Sequence, residues 1–197
     1  MATPLAVATI LGVLTVGLVI WHVFSKRRAG ALLAAPEIKL EALRSESATL
    51  AAELGEGDFK RLVTLRGQIQ CADPLESPLG EKPCVYYRAE VERKYRYTNS
   101  EGKKSTRTEN MSDQSEERDF DLVLGDEKVR VMIDGADHEA LIETVDRFEP
   151  HTSSGMSIGF GNFSMTLPDS HRRDTTLGYR YQEHVLPLTG QLTVVGE

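Results

Sequence analysis

The side chains able to do chemistry in this chain of 197 residues are few and scattered. Cys71 and Cys84 stand apart with no Cys-x-x-Cys pair, so they cannot supply a structural zinc site of four cysteines, or of three cysteines and a histidine. The five histidines (His22, His138, His151, His171 and His184) are dispersed. The best local cluster is Asp134-Gly-Ala-Asp137-His138, where two carboxylates and an imidazole share a turn, a combination suited to hard-metal binding or to the general base of a small hydrolase. Asp and Gly also end strands for backbone reasons alone, and that reading is preferred. Cys84 sits in Lys82-Pro83-Cys84-Val85, with a cation nearby but no histidine. A reactive thiol needs an electropositive, accessible setting and a base, whereas cysteine is among the most commonly buried residue types, so Cys84 is expected in the core. No P-loop is present, and Gly159-Phe160-Gly161 lacks the third glycine and following helix of a dinucleotide fingerprint. No catalytic residue, metal ligand or cofactor is assigned on these grounds.

The charge narrows the choice of partners. The formal net charge is −7, and the only charged residues before position 29 are Lys26, Arg27 and Arg28. Removing those three from the 23 basic side chains leaves 20 against 30 acidic ones, so residues 29–197 carry a net −10. A domain with that balance does not suit nucleic acid, where Lys and Arg must neutralise phosphates.

From Pro4 to Phe24 the sequence has no acid, Lys or Arg. Twenty-one such residues, at about 1.5 Å each, span roughly 30 Å, the depth of the hydrocarbon core, so residues 1–28 are expected to be a transmembrane helix with a basic collar, in contact with the bilayer. Trp21 stands at an interfacial position, and Lys26-Arg27-Arg28 predicts, by the positive-inside rule, that the rest of the chain faces the cytoplasm. A cleaved signal peptide would carry its charges before the apolar run, and here they follow it.

The elements that must position the candidate residues come next. Residues 29–58 read as a small-residue connection and a helix from Pro36 to Leu54, with Leu40, Leu43, Leu50 and Leu54 on one stripe that suits packing on its own domain, preferred here, or a coiled coil with a partner. Over 59–197 the periodicity changes to two, which is the signature of half-buried strands. Val63 to Cys71 is a first strand. Val85, Tyr87, Ala89 and Val91 alternate with polar residues in a long one, which turns at Asn99-Ser100-Glu101-Gly102 into a polar return over 103–112. Phe120, Leu122 and Leu124, then Gly125-Asp126, then Val129, Val131 and Ile133 read as a second hairpin. Met156, Ile158 and Phe160, and finally Leu192 and Val194, are shorter alternations. The fold class expected is therefore an N-terminal transmembrane helix followed by a mainly β (α+β) domain, an antiparallel sandwich or small barrel with one leading helix. Pro74, Pro78 and Pro83 fix φ and remove donors, which predicts a stiff surface loop over 73–83. Tyr86 and Tyr87 point to opposite faces, one into the core and the other free to bind.

A phrase of sequence then carries a resemblance. Gly67-x-Ile69-x-Cys71 is followed by Pro74-Leu75-Glu76-Ser77-Pro78-Leu79 and Pro83-Cys84-Val85-Tyr86-Tyr87, and the end reads Tyr181-Gln182-Glu183, Leu186-Pro187 and Gly196-Glu197. Over roughly residues 60–197 this resembles the GIDE domain, also called BAM (beside a membrane). That domain is the non-RING, membrane-proximal part of E3 ubiquitin ligases of the mitochondrial and chloroplast outer envelopes, with prokaryotic relatives. The resemblance implies a domain that engages a protein partner, while ubiquitin transfer belongs to a RING finger that follows a second transmembrane helix. Both would lie beyond Glu197. It also implies an intermembrane compartment, the opposite side from the charge rule. The motif residues it marks, without roles, are Ser77, Pro78, Leu79, Pro83, Cys84, Tyr86, Tyr87, Tyr181 and Glu183. The expectation is a membrane-anchored GIDE-type module that recruits or senses a protein; the alternatives are part of an E3 ubiquitin ligase-like protein, or the small hydrolase at 134–138.

Overall fold

The computed structural model describes residues 35–55, 60–151, 157–166 and 174–197, and these form two compact units. One unit comprises the described residues up to Arg66 together with Thr193–Glu197; the other comprises those between Gly67 and Leu192.

In the first unit the helix α1, Leu40–Leu54, is shorter than expected. Residues 36–38 are extended instead: Glu37 bridges Thr64 in parallel, Thr64 donates its N–H to the Pro36 carbonyl at 3.0 Å, and the Thr64 hydroxyl reaches the Ala35 carbonyl at 3.1 Å. Two more strand hydrogen bonds outweigh Pro36's preference for a helical first turn. The helix ends at Gly55, whose φ of +87° an L side chain rarely adopts. Of the leucine stripe, Leu40 is buried.

The second unit holds most of the strands. They are β1 (Val63–Gln70, which begins in the first unit), β2 (Leu75–Glu76), β3 (Pro83–Thr98), β4 (Lys104–Glu117), β5 (Phe120–Leu124), β6 (Glu127–Val131), β7 (Ile142–Pro150), β8 (Ser157–Phe160), β9 (Phe163–Thr166), β10 (Asp174–Pro187) and β11 (Gln191–Gly196, which ends in the first unit). β10 pairs antiparallel with β3 on one side and β7 on the other, while β2 and β4 pair successive stretches of the far edge of β3. Both long strands exist because their alternation buries one face. Tyr87, Ala89, Val91 and Arg93 of β3 lie opposite Val185, Glu183, Tyr181 and Tyr179 of β10 on the inner side. Leu79, Phe163, Ile158, Phe160 and Met165 pack against that inner face, so the β8–β9 hairpin and the 77–80 turn form its cover. The Asn99 side chain closes the β3–β4 hairpin by accepting the N–H groups of Glu101 and Lys103 at 3.1 and 2.8 Å.

Several expectations need correction. Against the expected leading transmembrane helix, the described residues are mainly β with one helix of 15 residues, and no helix among them is long and apolar enough to cross a membrane. The expected span at 4–24 lies outside the described residues, as does Met156. The antiparallel, sandwich-like part fits. The 73–83 segment is no surface loop, because Leu75–Glu76 pair with β3 while Leu75, Ser77 and Leu79 are buried. The prolines stiffen it, but its apolar side chains carry it inward. β6 stops at Val131, and β7 and β10 were not foreseen as strands.

Candidate functional site

Glu183 occupies a core position in β10 and is fully buried. Its carboxylate is surrounded by donors. Ser77 Oγ donates at 2.9 Å, the Leu79 N–H at 2.7 Å, and the Gly80 N–H divides itself between the two oxygens at 3.1 and 3.2 Å. From β7, the Thr144 hydroxyl donates at 2.6 Å. An ionised carboxylate offers about four lone-pair sites, and four donor groups fill them here. The Ser77 hydroxyl in turn accepts the Lys82 N–H at 3.1 Å, and Ser77 and Lys82 close the turn through their backbones at 3.0 Å. Gly80 is required by this approach, since a Cβ there would lie 2.7 Å from Glu183 Oε1. The turn between β8 and β9 adds a lid: the Asn162 N–H meets the Pro78 carbonyl at 2.9 Å, and Gly161, at φ +57°, passes so close that a Cβ would stand 2.7 Å from the Pro78 and Leu79 oxygens.

With both oxygens taken up by donors and no exposed surface, Glu183 works as a positioning group for the 77–82 turn. Cys84 lies fully buried beneath the same turn, its Sγ 3.7 Å from the Leu75 carbonyl. Burial, reinforced by the negative charges of Glu183 and Glu116, pushes its thiol up to about 11. That is the reverse of what a nucleophilic cysteine needs, and it supports the core reading.

The remaining motif residues have similar roles. Tyr181 is buried and stacks on Phe160 at 5.2 Å between ring centroids. Tyr87 points inward and its hydroxyl meets Glu116 at 3.2 Å. Tyr86 does take the opposite face, yet it is engaged there: the His138 ring lies 4.0 Å away. Pro83 opens β3 at an exposed position. At the weak alternative site, Gly135 adopts φ +69° and the Ala136 N–H bonds the Ile133 carbonyl at 2.9 Å, as a turn would. His138 turns to Tyr86, with Nε2 3.9 Å from Glu117. Among the described residues no group of three or more His, Cys, Asp and Glu stands close enough together to hold a metal.

Sequence reasoning missed Gly80, Thr144 and Asn162, whose parts are backbone approach and a single hydroxyl. It also passed over Gly155-Met156-Ser157-Ile158-Gly159, which has the spacing of a nucleophile elbow. Ser157 begins β8, which returns as β9 and not as the helix an elbow requires. The outer face of the sheet was missed as well. There Arg88 holds Asp113 with two bonds at 3.1 and 2.9 Å, and Arg180 holds Asp146 with two at 2.8 Å. Beside them is an open depression of about 260 Å³ lined by Glu92, Lys94, Thr108, Phe148 and Arg180. Phe148 is 46 % exposed, one of the few large apolar side chains at the surface.

Comparison with known families matches residues 90–197, more than half of the chain, to the GIDE family, described as E3 Ubiquitin ligase. No curated protein and no solved structure matches the chain. The matched stretch contains Tyr181 and Glu183, whereas the Ser77–Tyr87 phrase precedes it and is tied to it by the Glu183 carboxylate. This chain belongs to the GIDE family, and is thereby an E3 ubiquitin ligase-related protein.

Proposed function

We propose that the chain acts as the partner-engaging part of an E3 ubiquitin ligase-type system, attached to a membrane through its apolar residues 4–24, with the outer face of the β3–β10–β7 sheet as its docking platform. The observation that carries this reading is the Glu183 clamp. The motif residues converge on a saturated, buried carboxylate and a thiol raised to about 11, which suits a rigid scaffold and not a reaction centre. Rigid elements hold a binding surface better than loops do, and the bidentate Arg180–Asp146 pair fixes the outer face beside Phe148.

A photo-crosslinking residue placed at Phe148 in the full chain, expressed in its native cell, tests this. The expected result is a discrete protein adduct that disappears when Arg180 is changed to Glu and persists in Cys84→Ser. Loss of function in Cys84→Ser at unchanged thermal stability would sink the reading, because it would put the thiol into the chemistry. Extraction of the full chain by alkaline carbonate would remove the membrane part of the proposal.

A further inference from the structure

We infer that β4 pairs edge to edge with β4 of a second copy of this chain, antiparallel, so that the sheet continues through a two-fold axis. Three observations carry this. First, β4 spans 14 residues, and among the described residues it pairs with β3 alone. All but Ser105, Met111 and Ser112 of those residues are exposed. A long unpaired edge presents a row of N–H and C=O groups ready for another strand.

Second, the charges of this edge are sorted by sign. Lys104 and Arg107 occupy its first part and Asp113, Glu116 and Glu117 its last part, while Glu109 between them is taken up by Arg93 of its own sheet at 3.4 Å. Charged side chains and bulges are among the devices that protect an edge, so the order of the charges along it decides whether a copy is repelled or attracted. A strand that is basic at one end and acidic at the other repels a parallel copy, like charge on like, and attracts an antiparallel one.

Third, the faces agree. Because of the bulge at Met111, Ser105, Arg107, Glu109, Ser112, Gln114 and Glu116 share the inner face with Tyr97, Tyr95, Arg93, Val91, Ala89 and Tyr87, while Lys104, Thr106, Thr108, Asn110, Asp113, Ser115 and Glu117 lie on the outer face. The antiparallel register that sets Lys104 opposite Glu117 of the second copy also sets Arg107 opposite its Gln114 and diagonal to its Glu116, Thr108 opposite its Asp113, and inner residues opposite inner ones. The axis then passes between Asn110 and Met111, where the two bulges meet. A slip by one residue would oppose inner to outer side chains along the strand.

The inference rests on the edge of the sheet and does not require the docking platform proposed above, with which it shares Thr108 and Asp113. Sedimentation of the full chain in neutral detergent at low and high salt tests it. The expected result is a dimer weakened by salt. Lys104→Glu or Glu117→Lys alone should raise its dissociation constant about tenfold, because each symmetric dimer then opposes like charges twice. The double variant K104E/E117K, which restores opposite charges with the order inverted, should recover the wild-type constant. Both positions are exposed, and an unchanged circular dichroism spectrum keeps misfolding out of the reading. A monomer at every concentration tested overturns the inference. A dimer indifferent to both single reversals, or one not rescued by the double variant, overturns it equally.

Discussion

At the scale of single residues, the fold is organised by a carboxylate in a place where an apolar side chain is the rule. Glu183 costs desolvation to bury, and four donor groups offset that cost only while all four face an acceptor. Glu183→Gln keeps the volume but turns an NH2 towards N–H and O–H donors, leaving at least one of them unsatisfied. It should cost roughly 2–4 kcal/mol of unfolding free energy in urea titrations. A neutral outcome would mean that the turn reorganises at little cost. Cys84 gives a second prediction. With no exposed surface and a thiol near 11, it should resist a thiol reagent at mildly alkaline pH until the chain is unfolded, whereas the half-buried Cys71 reacts in the native state. Early labelling of Cys84 would contradict both its burial and its raised thiol.

At the scale of elements, the 77–82 turn and the β8–β9 hairpin depend on each other through glycine. Gly161 and Gly102 both have positive φ, +57° and +78°, so alanine at either should cost about 1–2 kcal/mol for the left-handed backbone. Only at Gly161 would the new Cβ also press on two carbonyl oxygens, since nothing stands within 4 Å of the one at Gly102. Gly161→Ala should therefore lower the thermal midpoint clearly more than Gly102→Ala; equal effects would show that the hairpin does not seat on the turn. The same elements show what the sequence makes legible. β1, β3 and the β5–β6 hairpin follow from alternation with an apolar face, and β4, which is polar and nearly all exposed, follows from the Asn99–Gly102 turn that returns β3. β10 was not seen as a strand because Glu183 interrupts its inward series of Tyr179, Tyr181 and Val185. β7 was missed because Glu143, Asp146, Arg147 and Glu149 dominate its composition. The residue that hid the central strand is the one that builds the site, and the family phrase marked it before its role was visible. The clamp itself was not legible, since the Leu79 and Gly80 backbone donors leave no trace in side-chain patterning.

At the scale of the whole molecule, ionisation sets the pH range of the fold, and the two limits differ in origin. On the acid side, Arg88 and Arg180 hold the Asp113 and Asp146 carboxyls below their ordinary 3.8 through hydrogen bonds. A depressed carboxyl stabilises above its unfolded value, and that contribution is lost as pH falls through the folded one. These pairs are exposed and screened, so their loss should be small and should shrink further with salt. On the alkaline side, burial raises Cys84 from 9.0 to about 11 and raises Tyr87, Tyr179 and Tyr181 above 10.0. Here the fold favours the neutral form. The unfolded chain gives up its protons first, and stability falls as pH climbs from the unfolded values through the folded ones. Burial is the largest cause in all four, so salt can weaken only the smaller contribution of the exposed Glu116 to Cys84 and Tyr87. Unfolding free energy should therefore be level near neutrality and fall steeply above about pH 9–10, almost independently of salt. In a chain whose Tyr86, Tyr95 and Tyr97 are replaced by phenylalanine, the tyrosinate absorbance of Tyr87, Tyr179 and Tyr181 near 295 nm should rise together with unfolding and not ahead of it. If Tyr179 and Tyr181 instead titrate at the ordinary 10.0 in the native chain without loss of stability, the inner face of β10 is open to water.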